Sequence, residues 1–156
     1  MKIYPVTLTD SSIFAEIHTT CLDPAWSLEA FQSILSICPK VIGYKVCIES
    51  NPIGFILYRP ILDEAEILTL VVLPEFRCLG YGAYLMHHAL DDLAKRMVSL
   101  VFLEVSALNA SAIALYKKFN FIQIGVRPHY YVKKNGKTED AISMRRFVST
   151  EAIAIS

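Results

Sequence analysis

The chain has 156 residues, 54% of them hydrophobic, which supplies enough apolar surface for the continuous core of one domain. Its 15 lysines and arginines balance its 15 aspartates and glutamates, so no overall field attracts DNA, RNA or an anionic membrane. The first residues do not resemble a signal segment and no apolar run has transmembrane length, which predicts a cytoplasmic protein without a membrane partner. The four cysteines are too irregularly spaced for a zinc site or a disulfide framework, so we expect reduced, mostly buried thiols and no metal.

Hydrophobic periodicity and turn residues predict the element order β-α-α-β-β-β-α-β-α-β-β. The predicted elements are a strand at 2–5, helices at 13–21 and 28–37, strands at 41–48, 53–59 and 65–73, a helix at 83–97, a strand at 100–105, a helix at 109–119, and two strands flanking a turn at Asn135 and Gly136. Ser27 is the predicted N-cap of the second helix, and Pro39 is predicted to end it. Turns are expected at residues 50–52 and at residues 63–64, which makes the three strands around them an antiparallel meander. The chain contains no repeat or linker, so residues 1–156 are interpreted as a single α/β domain.

The first chemically informative segment lies between the third strand of the meander and the helix that follows it. It has the pattern Arg77-x-x-Gly80-x-Gly82. Both glycines can adopt positive φ and let backbone N–H groups converge on an anion at the helix N-terminus, although an isolated Gly-x-Gly is more often an ordinary β-to-α turn. A dinucleotide fingerprint is excluded because Leu85 stands where a third glycine or alanine belongs, and a Walker loop is excluded because Gly-Lys-Ser/Thr is absent.

This pattern resembles the acetyl-CoA motif of the GCN5-related N-acetyltransferase superfamily, Arg/Gln-x-x-Gly-x-Gly/Ala between a strand and a helix. The resemblance continues through Glu104, Asn109 and Tyr116 and covers almost the whole chain. Within the superfamily the chain is most similar to the bacterial ribosomal-protein-alanine N-acetyltransferases, which share Trp26-Ser27 and Asp63-Glu64-Ala65. The resemblance implies a single-domain α/β (α+β) fold, in which about four helices flank a mixed, mostly antiparallel sheet of about seven strands.

The resemblance also implies acetyl-CoA as co-substrate and assigns its site. In the superfamily the pyrophosphate lies on the glycine loop, and the pantetheine arm pairs with the preceding strand. The cofactor-binding residues implied in this chain are Leu70, Val71, Val72, Arg77, Cys78, Leu79, Gly80, Tyr81, Gly82, Ala83, Asn109 and Tyr116. Cys78, Leu79 and Ala83 replace residues that are commonly polar or basic, so side-chain contacts to phosphate are lost while backbone binding is kept. Asn120 replaces a usual glycine, and asparagine is the next-best residue for a left-handed position after a helix.

Two residues are candidates for proton transfer. Side-chain alternation along the strand at 100–105 puts Glu104 on the same face as Phe102, just where the strand ends. Asn109 is a candidate N-cap, and Tyr116 lies two helical turns further along, so that Glu104 and Tyr116 can point at one cleft. Taken alone, a strand-end glutamate is usually solvated and such a tyrosine is half-buried. The resemblance implies that Glu104 is the general base, acting through water, and that Tyr116 is the general acid.

The resemblance makes a protein α-amino group the leading acceptor, with N-terminal alanine preferred and a ribosomal protein as the candidate partner. The residues expected to flank the cleft and bind a short extended peptide are Trp26, Arg127, Tyr130 and Tyr131. The alternative for Trp26 and one tyrosine is a place in the core. Two other functions remain open: acetylation of a small amine or amino acid, and a non-catalytic acetyl-CoA-binding regulatory domain. In the regulatory case the acid or the tyrosine should be absent. A monomer or a weak homodimer is expected.

Overall fold

The computed structural model describes residues 1–37 and 40–148, and within them it confirms the predicted order of helices and strands. The elements are β1 (Lys2–Pro5), α1 (Ser11–Cys21), α2 (Leu28–Ile34), β2 (Ile42–Ile48), β3 (Asn51–Ile61), β4 (Glu64–Val72), α3 (Tyr81–Lys95), β5 (Leu100–Ser106), α4 (Ala110–Lys118), β6 (Ile122–Val132) and β7 (Thr138–Phe147). All seven strands join one sheet in the order β1-β2-β3-β4-β5-β7-β6.

The sheet is antiparallel except between β4 and β5, which confirms the mixed, mostly antiparallel sheet expected from the sequence. The parallel pairing of β4 with β5 runs only from Glu64 opposite Leu100 to Ile67 opposite Leu103. Beyond that point β4 stays paired with β3 and β5 stays paired with β7. The two central strands therefore separate toward their C-terminal ends and leave a cleft between them.

Helices cover both faces of the sheet, and each face has its own apolar cluster. On the face packed against α1 and α2, here called the front face, Phe14 stacks on Phe55 with ring centroids 3.9 Å apart. On the opposite face, the back face, α3 and α4 pack against Val101, Leu103 and Val105 of β5. Burying a large apolar side chain stabilises a fold by about 1.5–3 kcal/mol, so these two clusters hold the helices on the sheet.

Side-chain caps fix where α2 and α4 begin, as the sequence predicts. Ser27 Oγ accepts a hydrogen bond from Ala30 N at 3.1 Å, and Asn109 Oδ1 accepts one from Ala112 N at 3.2 Å. Asn120 has φ +66°, the left-handed conformation expected of it after α4. Each cap satisfies a backbone group that the helix itself leaves without a partner.

Two helix boundaries differ from those predicted. Helix α2 ends at Ile34 rather than at 37, because Ser36 Oγ donates to Gln32 O at 2.7 Å and so competes for a carbonyl that helix continuation would use. The predicted stop at Pro39 lies outside the described residues. Helix α3 begins at Tyr81, two residues before the predicted 83, because Gly80 already serves as its N-cap.

The turns of the meander also lie earlier than predicted. Between β2 and β3 the chain reverses at Glu49 and Ser50, with φ of 50° and 70°, while Pro52 is already part of β3. Proline is tolerated there because it stands near the start of the strand, where a ladder donor can be missing. Between β3 and β4 the left-handed residue is Leu62, with φ 57°, and Glu64 already belongs to β4. In the last hairpin Gly136 has φ 82°, within the predicted turn.

Strand β6 is an edge of the sheet and pairs irregularly with β7. Its register shifts between Gln123 and Gly125 and again between Arg127 and Tyr131. Such irregularities bend a strand and redirect its side chains. The apolar residues of this edge that remain about half-exposed are Ile122, Ile124, Val126 and Val132.

The thiols differ from the expectation of mostly buried cysteines. Cys47 is buried, Cys21 is half-buried and Cys78 is exposed, because Cys78 lies in the loop before α3 rather than in an element of the core. Cys38 lies outside the described residues. In the described part of the chain no three His, Cys, Asp or Glu side chains are grouped to hold a metal. No helix within residues 1–37 and 40–148 has the length and apolarity needed to cross a bilayer.

Candidate active site

The cleft between β4 and β5 is lined on one side by the backbone of β4. Leu73 N donates to Ile53 O of β3 at 2.8 Å. Because successive residues of a strand direct their backbone groups to opposite sides, those of Leu70 and Val72 face the cleft. Val72 O accepts a hydrogen bond from Arg77 Nε at 3.0 Å. The end of β4 thus presents free strand edge to the cleft and is tied to the loop that follows.

The glycine loop forms the N-terminus of α3 beside this edge. Gly80 is the N-cap with φ 92°, and its O accepts from Tyr84 N at 3.0 Å to close the first helical turn. Space is open around Gly80, with no heavy atom within 4 Å of where a Cβ would stand. The first N–H groups of a helix have no intrahelical acceptor, and the helix dipole adds partial positive charge. The loop therefore has the features of an anion site.

Gly82 corrects one expectation about this loop. It is the second residue of α3 with helical backbone, so the positive φ predicted for it is wrong. A Cβ at Gly82 would stand 3.4 Å from Leu115 Cδ2 of α4. That distance is an ordinary van der Waals contact, and the second left-handed residue of the loop is Cys78, with φ 61°.

Glu104 lies on the front face of β5, as the alternation predicts, because Val101, Leu103 and Val105 are buried on the back face. Its Oε1 is 2.9 Å from Arg127 Nε, and its Oε2 is buried without a hydrogen-bond partner. Glu104 forms one end of an open groove of about 670 Å³. A carboxylate with one free, buried oxygen is able to accept a proton from a neighbouring group or water.

Tyr116 is buried on the other side of β5, 6% exposed, with its ring centroid 5.9 Å from that of Phe121. Burial, and secondarily the proximity of Tyr131, raise the pKa of the Tyr116 hydroxyl, which keeps it protonated at neutral pH. Among the described residues no hydrogen bond or ion pair joins Glu104 to Tyr116. A shared cleft for these two side chains stays a prediction.

Tyr131 interacts electrostatically with both candidates for proton transfer, Glu104 and Tyr116. Burial raises its pKa to about 12, and the charge of Glu104 contributes. Its neighbour Tyr130 is half-exposed, with ring centroids 5.0 Å apart, and the guanidinium of Arg127 lies 5.6 Å from the Tyr130 ring centroid. Arg127, Tyr130 and Tyr131 are thus grouped beside Glu104.

Trp26 is partly in the core and partly accessible, so it combines features of the two alternatives left open by the sequence, a place in the core and a place beside the cleft. It is partly exposed, yet its ring centroid lies 5.0 Å from that of His18 and 5.4 Å from that of Phe31 in the front-face cluster. One side of the indole therefore packs on the core while the remainder is accessible from solvent.

His18 holds Trp26 in this position, a role that the sequence analysis missed. His18 is 1% exposed, and its Nδ1 accepts from Trp26 N at 2.9 Å. Nε2 must then carry the proton and donate to Thr69 Oγ1, 3.0 Å away. Burial lowers the His18 pKa to about 4, so the ring is neutral at physiological pH. Thr69 is 51 residues away from His18 in the chain, and no local sequence pattern predicts the contact.

Two further contacts brace the hairpin that carries Tyr130 and Tyr131. Lys134 N donates to Asp23 Oδ1 at 3.1 Å and so joins the β6–β7 hairpin to the segment between α1 and α2. Glu139 accepts a hydrogen bond from Ser106 Oγ at the end of β5 and lies 2.5 Å from Lys133 Nζ. Lys133 and Ser106 lower the pKa of Glu139. The sequence analysis assigned no role to any of these residues.

A parallel strand pair that separates beside a glycine-containing helix N-terminus is the arrangement of an acyltransferase that takes its acyl group from a coenzyme A thioester. Residues 12–121 match the Acetyltransferase (GNAT) family. The chain therefore belongs to the GNAT family of acetyltransferases.

Relatives and solved structures agree with this assignment. The [Ribosomal protein bS18]-alanine N-acetyltransferase of Escherichia coli (strain K12) is 34% identical over 119 residues, covering 76% of this chain and 78% of that protein. The crystal structure of the ribosomal-protein-S18-alanine N-acetyltransferase from Escherichia coli superposes with a TM-score of 0.86 at 31% identity, covering 95% of this chain and 94% of that one. Arabidopsis thaliana NAA60 in complex with acetyl-CoA has the same fold, with a TM-score of 0.82 at 21% identity over 94% and 98% of the two chains. The protein is an N-acetyltransferase.

Proposed function

We propose that this enzyme transfers an acetyl group from acetyl-CoA to the α-amino group of a protein N-terminus, with alanine as the preferred first residue and a ribosomal protein as the partner. The observation that carries the proposal is the position of Glu104. Its carboxylate, with one free buried oxygen, stands on the front face of β5 just beyond the point where β5 separates from β4. The similarity to relatives that acetylate the alanine of bS18 supports the choice of acceptor.

The residues along the cleft fit the donor. Acetyl-CoA supplies a thioester whose acyl carbon is open to attack by an amine. Leu70 offers a backbone donor and acceptor, and Val72 a backbone donor, with which the amides of a pantetheine arm can pair like an added strand. The Val72 carbonyl already accepts from Arg77 Nε. The N-terminus of α3 at Gly80 offers unpaired N–H groups and a favourable dipole for a pyrophosphate. The N–H of Val72 is available to stabilise negative charge on the thioester oxygen.

Two side chains divide the proton transfers. The acceptor amine must lose a proton as it attacks, and Glu104 takes it through water. The departing thiolate needs a proton, and Tyr116 supplies it, because burial keeps its hydroxyl protonated at neutral pH. Direct attack requires no covalent enzyme intermediate. The presence of both groups argues against a non-catalytic regulatory domain.

Amine chemistry favours an α-amino group over a lysine side chain. An α-amine has an unperturbed pKa of about 7.7–8.0 and a lysine about 10.4, so at neutral pH the neutral fraction differs by a factor of several hundred. A single base acting through water is sufficient for the α-amine. Tyr130 and Tyr131 beside Glu104, and the partly exposed Trp26 beside His18, offer aromatic surface for a short peptide, and a small first residue avoids the packed strand at Leu70.

A competition experiment tests the proposal. The enzyme is offered equal amounts of an Ala-first peptide, the same peptide with a blocked N-terminus and a free internal lysine, and a small polyamine. Mass spectrometry of the products should find the Ala-first peptide acetylated preferentially. Preference for the lysine peptide or the polyamine would overturn the assignment in favour of another amine class.

A further inference from the structure

The groove that begins at Glu104 continues across the front face of the sheet. It passes over Phe102 and reaches the turn between β3 and β4 at Leu62. Its volume of about 670 Å³ lies within the ~300–1,000 Å³ typical of ligand pockets. Among the described residues, none of those that line it belongs to the cluster under α1 and α2. This stretch of the sheet is therefore left open to solvent beside the candidate active site.

The groove is the open path away from Glu104 for an acceptor chain. On the other side of the cleft, the hydrogen bond from Lys134 N to Asp23 Oδ1 joins the β6–β7 hairpin to the segment before α2. That bridge narrows the route between the two segments. A polypeptide whose first residue lies beside these segments, with its amino group at Glu104, can extend along the front face.

The far end of the groove carries unpaired negative charge. The exposed side chains of Asp63, Glu64 and Glu66 line it, and none of them forms an ion pair with a described basic side chain. Near the other end, Glu104 and Arg127 neutralise each other. The charge along the groove thus becomes negative with distance from the candidate base.

Strand register gives the distances along this path. Glu66 pairs with Phe102, which precedes Glu104 by two residues on β5, and Glu64 pairs with Leu100, two residues further back. A strand and an extended peptide both advance about 3.3 Å per residue. Glu66 therefore stands about two residues along the groove from Glu104, and Glu64 about four.

From these observations we infer that the groove binds the segment of the acceptor that follows its first residue, and that Glu66 and Glu64 select basic side chains in it. The inference rests on the proposed function, because it needs a peptide acceptor. Glu66 acts near the third residue of the acceptor and Glu64 near the fifth. An acceptor with lysine or arginine at these positions binds more tightly than a neutral one with the same first residue.

Arg59 carries a positive charge in the groove, which opposes the preference for basic acceptors. It pairs with Glu66 across β3 and β4, and its Nε is buried without a hydrogen-bond partner. In the inferred complex the part of the Arg59 guanidinium that lines the groove donates to a main-chain carbonyl of the acceptor, which orients the peptide without reading its sequence. If the charge of Arg59 dominated instead, the groove would prefer acidic acceptors.

The test compares Ala-first peptides that differ at one position only. Lysine, glutamine or glutamate is placed at residue 3 or residue 5 of an otherwise neutral peptide, and kcat/KM is measured for the parent enzyme, Glu66→Gln, Glu64→Gln and Asp91→Asn. Asp91 is the matched control, an exposed carboxylate on α3 that pairs with Lys95 outside the groove. The parent should prefer lysine over glutamine by about two- to fivefold at each position, the scale of exposed ion pairs.

Each groove variant should lose the preference for lysine mainly at one position of the peptide. Glu66→Gln should lower the lysine-to-glutamine ratio mainly at residue 3, Glu64→Gln mainly at residue 5, and Asp91→Asn at neither. Glu66→Lys should reverse the preference at residue 3 toward glutamate, and the parent preference should shrink as salt rises. The change should appear in KM rather than in kcat, because the contact is equally strong in the ground state and the transition state.

Two outcomes overturn the inference while leaving the proposed function intact. One is acetylation of the neutral peptides by the parent enzyme without any preference for lysine. The other is a preference for glutamate, which would assign the groove to Arg59. Failure of every Ala-first peptide to react, with normal acetylation of another amine, overturns the proposed function and the inference together.

Discussion

The donor side and the acceptor side of the cleft differ in how the chain builds them. Most of the donor side is one contiguous stretch, residues 70–83, and the candidate contacts there come from backbone groups whose direction is set by β4 and by the left-handed Gly80. The acceptor side brings together groups from distant segments, such as the Asp23 carboxylate with the backbone N–H of Lys134, which are 111 residues apart. The donor side should therefore respond to changes of backbone conformation, and the acceptor side to changes of single side chains.

The largest expected effect is at the two proton-transfer candidates, where Glu104→Gln and Tyr116→Phe should each lower kcat by ~10²-fold or more. Acetyl-CoA affinity should change little. High pH should partly restore Glu104→Gln, because the acceptor amine is then already neutral, but should not restore Tyr116→Phe. Steady-state rates between pH 6 and 10 make this measurement. Near-parental rates for both variants at neutral pH would contradict the assigned roles.

The donor side is tested by Gly80→Val, which should weaken acetyl-CoA binding by about tenfold or more. A left-handed conformation costs an L-residue about 1–2 kcal/mol and is especially unfavourable for a β-branched one, so the loop should shift away from its anion-binding form. The matched control is Gly136→Val, since Gly136 has a similar φ of 82° in the β6–β7 turn. Calorimetric titration should find parental affinity in the control. Equal affinity in Gly80→Val would mean that the anion site lies elsewhere.

On the acceptor side, His18 should make folding stability depend on pH. Its pKa is about 4 in the folded state against about 6.5 unfolded, so the unfolded state binds the extra proton as pH falls between these values. The stability present above pH 6.5 is lost toward pH 4, by about 1.4 kcal/mol at pH 5.5. Urea unfolding of the parent and of His18→Gln at pH 7.5 and 5.5 isolates this contribution, because the other titratable groups are the same in both proteins. An equal loss of unfolding free energy in the parent and in His18→Gln would exclude His18 as the cause.

The smallest expected effect comes from Asp23→Ala, which removes the acceptor of the Lys134 N–H. An exposed hydrogen bond contributes about 0.5–1.5 kcal/mol, so the hairpin with Tyr130 and Tyr131 should be less well fixed. KM for an Ala-first peptide should rise about two- to fivefold while acetyl-CoA affinity stays parental. A matching loss of acetyl-CoA affinity would mean that the two sides of the cleft are not separable.

The sequence predicts the strand and the helix of the donor side because their signals are local. Strand, loop and helix follow one another within residues 65–97, and the caps Ser27 and Asn109 are each defined by residues within one helical turn. Gly82 is the exception. Its backbone is helical rather than left-handed, and its neighbour Leu115 of α4 is 33 residues away, a contact that cannot be read from a loop motif.

The acceptor side is predicted less well because it depends on tertiary contacts. Trp26 and the two tyrosines are named by resemblance alone. Their positions depend on contacts made by residues such as His18 and Glu139, which the sequence does not reveal. A histidine in an amphipathic helix has no local feature that marks it as fully buried. The groove beyond Glu104 is likewise defined by strand register, which places Glu66 opposite Phe102 across 36 residues of sequence.

The irregular edge strand β6 has a consequence for the behaviour of the protein in solution. A long, flat edge with exposed isoleucines and valines is a template for adding strands from other molecules, and such edges promote aggregation. In β6 the two register shifts interrupt that template, and Pro128, within the second of them, has no N–H to offer. The irregularities that position Tyr130 and Tyr131 thus also protect the molecule against edge-to-edge association.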